Sequence, residues 1–191
     1  MDKSKKQYRA VTNKKKVLDK INGHDALLIL KALAKEDRSI AKRIEEIALE
    51  YLRDIDVENV ASQVYYALEG IEVEDLWEQS GSMRYGYVEP SERAWEMFEE
   101  ALEPFTNELN KYLDLSLDSE AKNYCMGILK GINQFGKEST SQFKDWAEDA
   151  PDEFFERVLD DWKKGCKMPE HIQEMEDFIK RGLGTDGLDE D

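Results

Sequence analysis

Cysteine, proline and histidine are scarce in this 191-residue chain: two, four and two, respectively. Cys125 and Cys166 lie far apart and belong to no metal-ligand spacing. They are therefore expected to be reduced thiols in a cytoplasmic protein. No apolar run approaches the roughly 18 residues that a membrane span requires. The N-terminal MDKSKKQYRAVTNKKK is basic with no apolar stretch behind it, so no secretory signal is expected. Nowhere does apolar/polar alternation persist with β-branched enrichment, so no strands are expected.

Catalytic and cofactor motifs are equally scarce. The sequence has no GxSxG, no GxxxxGK[ST], no GxGxxG and no HExxH. Cys125 sits on an apolar stripe, where a thiol acts as a small packing residue. Cys166 follows Lys163, Lys164 and Gly165 but has no local histidine to serve as a base. His171 and Glu174 form an HxxE pair, the reverse of the ExxH pairs of di-iron bundles. With 43 acids in the chain, such a pair is read as a surface contact. Asp145, Glu148, Asp149, Asp152 and Glu153 cluster around Pro151 without EF-hand spacing. Most of that cluster is explained by acids favouring a helix N-terminus. No motif asks for a metal or a cofactor.

Charge is plentiful and unevenly placed. Residues 1–20 carry eight Lys/Arg and two acids, a net +6, which leaves −22 on the rest of a chain totalling −16. So negative a body repels phosphate backbones. Nucleic acid is an expected partner only through the basic arm between Lys3 and Lys16. The plainer reading of that arm is a solvated terminus.

Helical periodicity fills most of the remainder. A short helix is expected over Thr12–Ile21, ended by Asn22-Gly23, with Asp25 opening the next segment. Residues 26–34, ALLILKALA, are apolar nearly all round, which predicts a buried central helix. Asp37 or Ser39 caps the next helix, whose stripe is Ile40, Ile44, Ile47, Tyr51 and Ile55. Asp56 caps a third, with Val57, Val60, Ala61, Val64, Leu68 and Ile71 in line; of the adjacent Tyr65 and Tyr66 only one can be central to the core. Ser91 is the expected cap of the segment Ala94, Trp95, Phe98, Leu102, Phe105, Leu109 and Tyr112, which is either one helix kinked at Pro104 or two end to end. Leu117, Ala121, Tyr124, Cys125, Ile128, Ile132 and Phe135 mark another helix. Its Gly127 and Gly131 are expected to let a neighbouring backbone approach closely. Phe154, Phe155, Val158, Leu159 and Trp162, then Ile172, Met175, Phe178, Ile179 and Leu183, supply the last stripes. The expected fold is all-α: antiparallel helical hairpins stacked as an α-α superhelix or an irregular bundle. Its organisation is a flexible basic arm at 1–16, one helical domain at 17–183 and an acidic disordered tail at 184–191.

Within that frame, LLILKALAKE followed by DRSIAKRIEEIALEYL resembles one repeat of HEAT-type proteins, two helices with an Asp at the turn. More broadly, VEDLW, RYGYVEP and AWEMFEEALEPF are similar to prokaryotic helical proteins, some of them like the helical regions that accompany SWIM-type zinc fingers. The chain has no such finger. The resemblance implies a helical scaffold and no chemistry.

One stretch, Val73 to Trp95, cannot be a single regular helix. Trp77, Tyr85, Tyr87 and Trp95 offer flat amphipathic area and Arg84 a forked donor, the residue types of binding hot spots. Folded back on itself, the connector at 80–90 would also serve as a plug between helical halves. Nothing beside it supplies a base, a nucleophile or a ligand set. The expected function is a non-catalytic scaffold for protein–protein interaction, with a basic partner favoured by the body's charge. An enzyme or ligand-binding protein using acids for a metal or cationic small molecule stands as an alternative, as does a regulator acting on nucleic acid through the arm. The oligomeric state is left open.

Overall fold

The computed structural model describes residues 17, 19–84 and 86–183, which form eight α-helices and one short β-hairpin. The chain is all-α in class, as the periodicity implies. The basic arm, most of the Thr12–Ile21 segment, Tyr85 and the acidic tail lie outside the described residues. Contacts group the chain into two compact units, Met1–Arg53 and Asp54–Asp191.

In the first unit, α1 (Gly23–Glu36) and α2 (Arg38–Leu52) pack on one another across the single linking residue Asp37. The Asn22 side chain accepts from the Asp25 N–H at 2.9 Å and caps α1. Asp37 caps α2, accepting from the Ser39 N–H and hydroxyl, each at 2.7 Å. Those Ser39 bonds, the hydroxyl's first, hold its carboxyl below the usual value of 3.8. The expectation of a buried central helix over residues 26–34 fails. Neither α1 nor α2 contains a buried residue, and Leu27, Leu28, Ile29 and Leu30 all stand exposed. Packing against one short partner covers one side of a helix; a helix that is apolar all round needs more than one.

In the second unit the helices are α3 (Val57–Glu69), α4 (Val73–Glu78), α5 (Pro90–Asp114), α6 (Asp118–Glu138), α7 (Ala150–Gly165) and α8 (Pro169–Phe178). A 3-10 turn, Gln142–Trp146, and a terminal π-helical turn, Ile179–Leu183, complete it. Asp56 caps α3 as expected, accepting from the Glu58 and Asn59 N–H groups. Proline rather than a hydroxyl starts α5 and α8. Pro90 and Pro169 open α5 and α8 at a position where no N–H is required, so Ser91 lies inside the first turn instead of capping it. Pro104 does not divide α5, which runs through it as one 25-residue helix.

The second unit is an irregular bundle built around α6, which touches α3, α5, α7 and α8. Cys125, Ile128, Leu129, Ile132 and Phe135 of α6 are wholly buried. Phe98 of α5 stacks on Phe154 of α7 at 5.0 Å and meets Phe135 edge-on at 5.8 Å, joining three helices through rings. The two glycines of α6 do what their spacing suggests. A Cβ at Gly127 would lie 2.5 Å from Val60 Cβ, and one at Gly131 would lie 2.6 Å from the Ala61 carbonyl oxygen. Only hydrogen fits there, so α3 can lie against α6 almost backbone to backbone. Burial pushes the Cys125 thiol's pKa well up, which keeps it protonated and inert.

Candidate interaction face

The irregular stretch contains the only strands among the described residues. Gly81–Met83 (β1) and Gly86–Val88 (β2) pair antiparallel, with Ser82 opposite Tyr87 and Gly81 opposite Val88. This corrects the expectation of no strands. Three-residue strands are too short to show alternation. Gly81 and Gly86 take φ of +83° and +144°, values that side-chain-bearing residues rarely adopt. The two glycines were legible as freedom to fold back; the ladder they permit was not.

The residues expected to form the site are distributed along this stretch in different roles. Trp95, on the first turns of α5, is half-buried against Phe154 with ring centroids 5.4 Å apart. Trp77, on α4, is half-exposed and packs edge-on against Trp146 at 4.6 Å. Tyr87 on β2 is 67% exposed. Arg84 is exposed at the tip of the hairpin, and Tyr85 beside it is outside the described residues. The two tryptophans thus anchor the connector to α7 and to the 3-10 turn, while Tyr87 projects from it.

Next to Tyr87 runs a groove of about 540 Å³ lined by Glu78, Gln79, Tyr87, Val88, Glu92, Arg93 and Glu96. A second groove of the same size lies further along α5, lined by Glu96, Glu99, Glu100, Leu102, Glu103, Thr106 and Arg157. Glu96 belongs to both, so the two form one acidic track along the exposed side of α5. The acids recur at three- and four-residue steps from Glu92 to Glu103, which places them together on one helix face.

Arg93 fixes the start of that track, and nothing in the sequence reading singled it out. Its guanidinium donates to Gln79 Oε1 at 2.6 and 3.1 Å, to Glu100 at 2.8 and 3.0 Å and to Glu96 at 2.9 Å. The side chain is only 14% exposed, tying α4 to α5 beneath the groove floor. The Glu100 bond raises the arginine's pKa further, and the arginine in turn holds the Glu100 carboxyl below its usual value. A detectable signal was present: Arg93 with Glu96 and Glu100 is an i, i+3, i+7 row on one face. At the far end Arg157 pairs with Glu99 and lies 4.4 Å over the Phe154 ring.

Elsewhere one acid singled out by its spacing has a structural partner. Glu174 of the HxxE pair binds Lys122 of α6 rather than sharing a ligand with His171, and that ion pair lowers its pKa. Among the described residues, no three His, Cys, Asp or Glu side chains are grouped so as to hold a metal ion. Among the same residues no helix is long and apolar enough to cross a membrane. Comparison with protein-family models, with curated proteins and with solved structures returns no significant match.

Proposed function

We propose that the chain is a non-catalytic scaffold that binds another protein, and that a basic segment of that partner lies along the acidic track of α5 with Tyr87 and Trp77 at its head. The observation that carries this reading is the junction of two glutamate-lined grooves with an exposed tyrosine on a braced hairpin. Rings at one end supply desolvated contact area of the kind that dominates binding energy. The carboxylates give steering and selectivity for Lys or Arg over acidic partners. Arg93 holds Glu96 and Glu100 in place before a partner arrives, reducing the ordering cost of binding. The charge of the surrounding unit works in the same direction. Asp54–Asp191 carries 13 Lys/Arg and 35 Asp/Glu, so the whole −22 resides there.

The test is affinity capture from source cells with the full chain, comparing wild type with Tyr87→Ala, Arg84→Ala and the double variant Glu99→Lys, Glu103→Lys. A stoichiometric protein captured by wild type, weakened by added salt and lost with Tyr87→Ala and with the double variant, is the expected result. Capture of no protein under gentle conditions, or equal capture by all four chains, would reject the reading. Recovery of nucleic acid that depends on residues 1–16 would favour the basic arm instead.

A further inference from the structure

The hairpin that heads the acidic track leaves one strand edge open. Two residues, 84 and 85, separate β1 from β2, so the pair that closes the turn, Met83 with Gly86, exchanges hydrogen bonds. Bonded and unbonded pairs alternate along an antiparallel ladder. Gly81 with Val88 is therefore the next bonded pair, and Ser82 with Tyr87 is the unbonded one between them. The Tyr87 N–H and C=O point away from β1, and neither has a hydrogen-bond partner among the described residues. Backbone groups must find partners, and a strand edge that leaves them open is a template for a further strand.

The groove beside the hairpin runs along that edge. Tyr87 and Val88 both line it, although neighbouring side chains leave a strand on opposite faces. A groove lying over one face of the hairpin would take only one of them and would include β1, yet Gly81 and Ser82 of β1 do not line it. The other walls select the charge of the occupant. Glu78 of α4 and Glu92 of α5 line the groove and make no ion pair among the described residues. Glu96, beside Arg93, keeps its side chain 59% exposed. An extended chain in the groove meets backbone donors and acceptors at β2 and carboxylates on its other walls.

We infer, on the footing of the acidic track proposed above, that the partner's basic segment binds at the head of the track as an extended strand added to β2. One of its residues pairs with the Tyr87 N–H and C=O, and Lys or Arg stands at every second position. Main-chain bonds hold the segment whatever its sequence, and the alternating cations, which share one face of a strand, select it. Two strands alone are marginal in water, and a third gives the hairpin the smallest sheet that holds well. A helical segment bonds its own backbone groups and has none to offer this edge.

The test is fluorescence anisotropy of the full chain with a short labelled peptide of alternating lysine and valine, and with the same peptide N-methylated at every amide, which keeps the charge and loses the donors. Wild type is expected to bind the unmethylated peptide about tenfold more tightly or better. On the protein side, Tyr87→Ala removes the ring and keeps the backbone N–H. Tyr87→Pro removes both, at an edge position whose outward N–H the hairpin itself does not use. The proline variant should bind the unmethylated peptide about tenfold more weakly than the alanine variant, with far-UV circular dichroism confirming that both are folded. The peptide comparison is made on wild type, so it decides even where the proline variant does not fold. Equal binding of the two peptides would overturn strand addition while leaving the acidic track in place. So would failure of both peptides to bind a chain that captures a protein partner. Capture of no protein at all rejects the track itself, which keeps the two failures apart.

Discussion

The α3–α6 contact and the α1–α2 contact are both pairings of apolar-rich helices, yet they end at opposite extremes of packing. In the first, Val60, Ala61 and Val64 of α3 are buried against Gly127 and Gly131 of α6. In the second, no residue of either helix is buried. The difference does not lie in apolar content, because α1 carries as dense an apolar run as any helix here. It lies in the partner. Two glycines remove the side chains that keep helices 8–10 Å apart, and three further helices, α5, α7 and α8, also pack on α6. Among the described residues of its own unit, α1 has α2 as its helical partner. Apolar sequence states a demand for burial; the glycine notch and the number of neighbours decide whether the same chain meets it.

The widest separation between the two contacts should appear on filling the notch. Gly127→Leu places a side chain where even a Cβ would lie 2.5 Å from Val60. Overpacking of that kind is expected to cost about 3 kcal/mol or more, lowering Tm by roughly 6–12 °C for a chain of this size. Thermal and urea unfolding measure it, and an unchanged midpoint would remove the close-approach argument.

This notch shows how much of the fold was legible. GxxxG spacing in an amphipathic helix, the Asp56 and Asp37 caps and the stripes of α3, α5, α6 and α7 could all be read, because each depends on residues near in sequence. The burial of ALLILKALA was misread because burial depends on what arrives from elsewhere. The β-hairpin was missed because its ladder is three residues long and rests on backbone angles at Gly81 and Gly86. In the candidate face, Tyr87 was found from residue type alone. Arg93 and the run Glu96 to Glu103 were passed over, since on a helix of this charge density their significance comes from Gln79 and Arg157 on other elements.

A smaller loss is expected on removing the brace beneath the face. Arg93→Ala deletes charge-assisted bonds that tie α4 to α5, and should cost about 1–2 kcal/mol, reduced by the exposure of Glu96 and Glu100. If Arg93 also preorganises the track, partner capture falls by more than this stability change explains. On the α1 surface, truncation should hardly register. Leu28→Ala removes a half-exposed side chain and is expected to shift unfolding of the dilute chain by under about 1 kcal/mol, against the 2–5 kcal/mol of a buried leucine. A buried-type loss in dilute solution would mean that the surface is already covered within one chain.

Titration gives the finest distinction. Arg93 holds the Glu100 carboxyl below its ordinary value of 4.5. Its contribution to stability is complete above that unfolded value and is lost as pH falls through the lower folded one. Glu100→Gln should flatten the acid limb of the stability profile slightly. Burial, with Glu108 and Tyr112 nearby, pushes the Tyr124 hydroxyl up from 10.0 to about 12. That group's contribution is complete below pH 10 and is lost as pH rises through about 12. Tyr124→Phe should therefore lessen alkaline unfolding in that window, as followed by circular dichroism.

Hydrogen exchange of the full chain, compared at low and high protein concentration, bears on both helix contacts at once. Amides of α3 and α6 should be protected to the full stability of their unit at either concentration. Amides of α1 and α2 should exchange far faster at both concentrations, because neither helix has a buried residue. Equal protection of all four helices would contradict a close-packed α6 core and an α1–α2 pair in which no residue is buried.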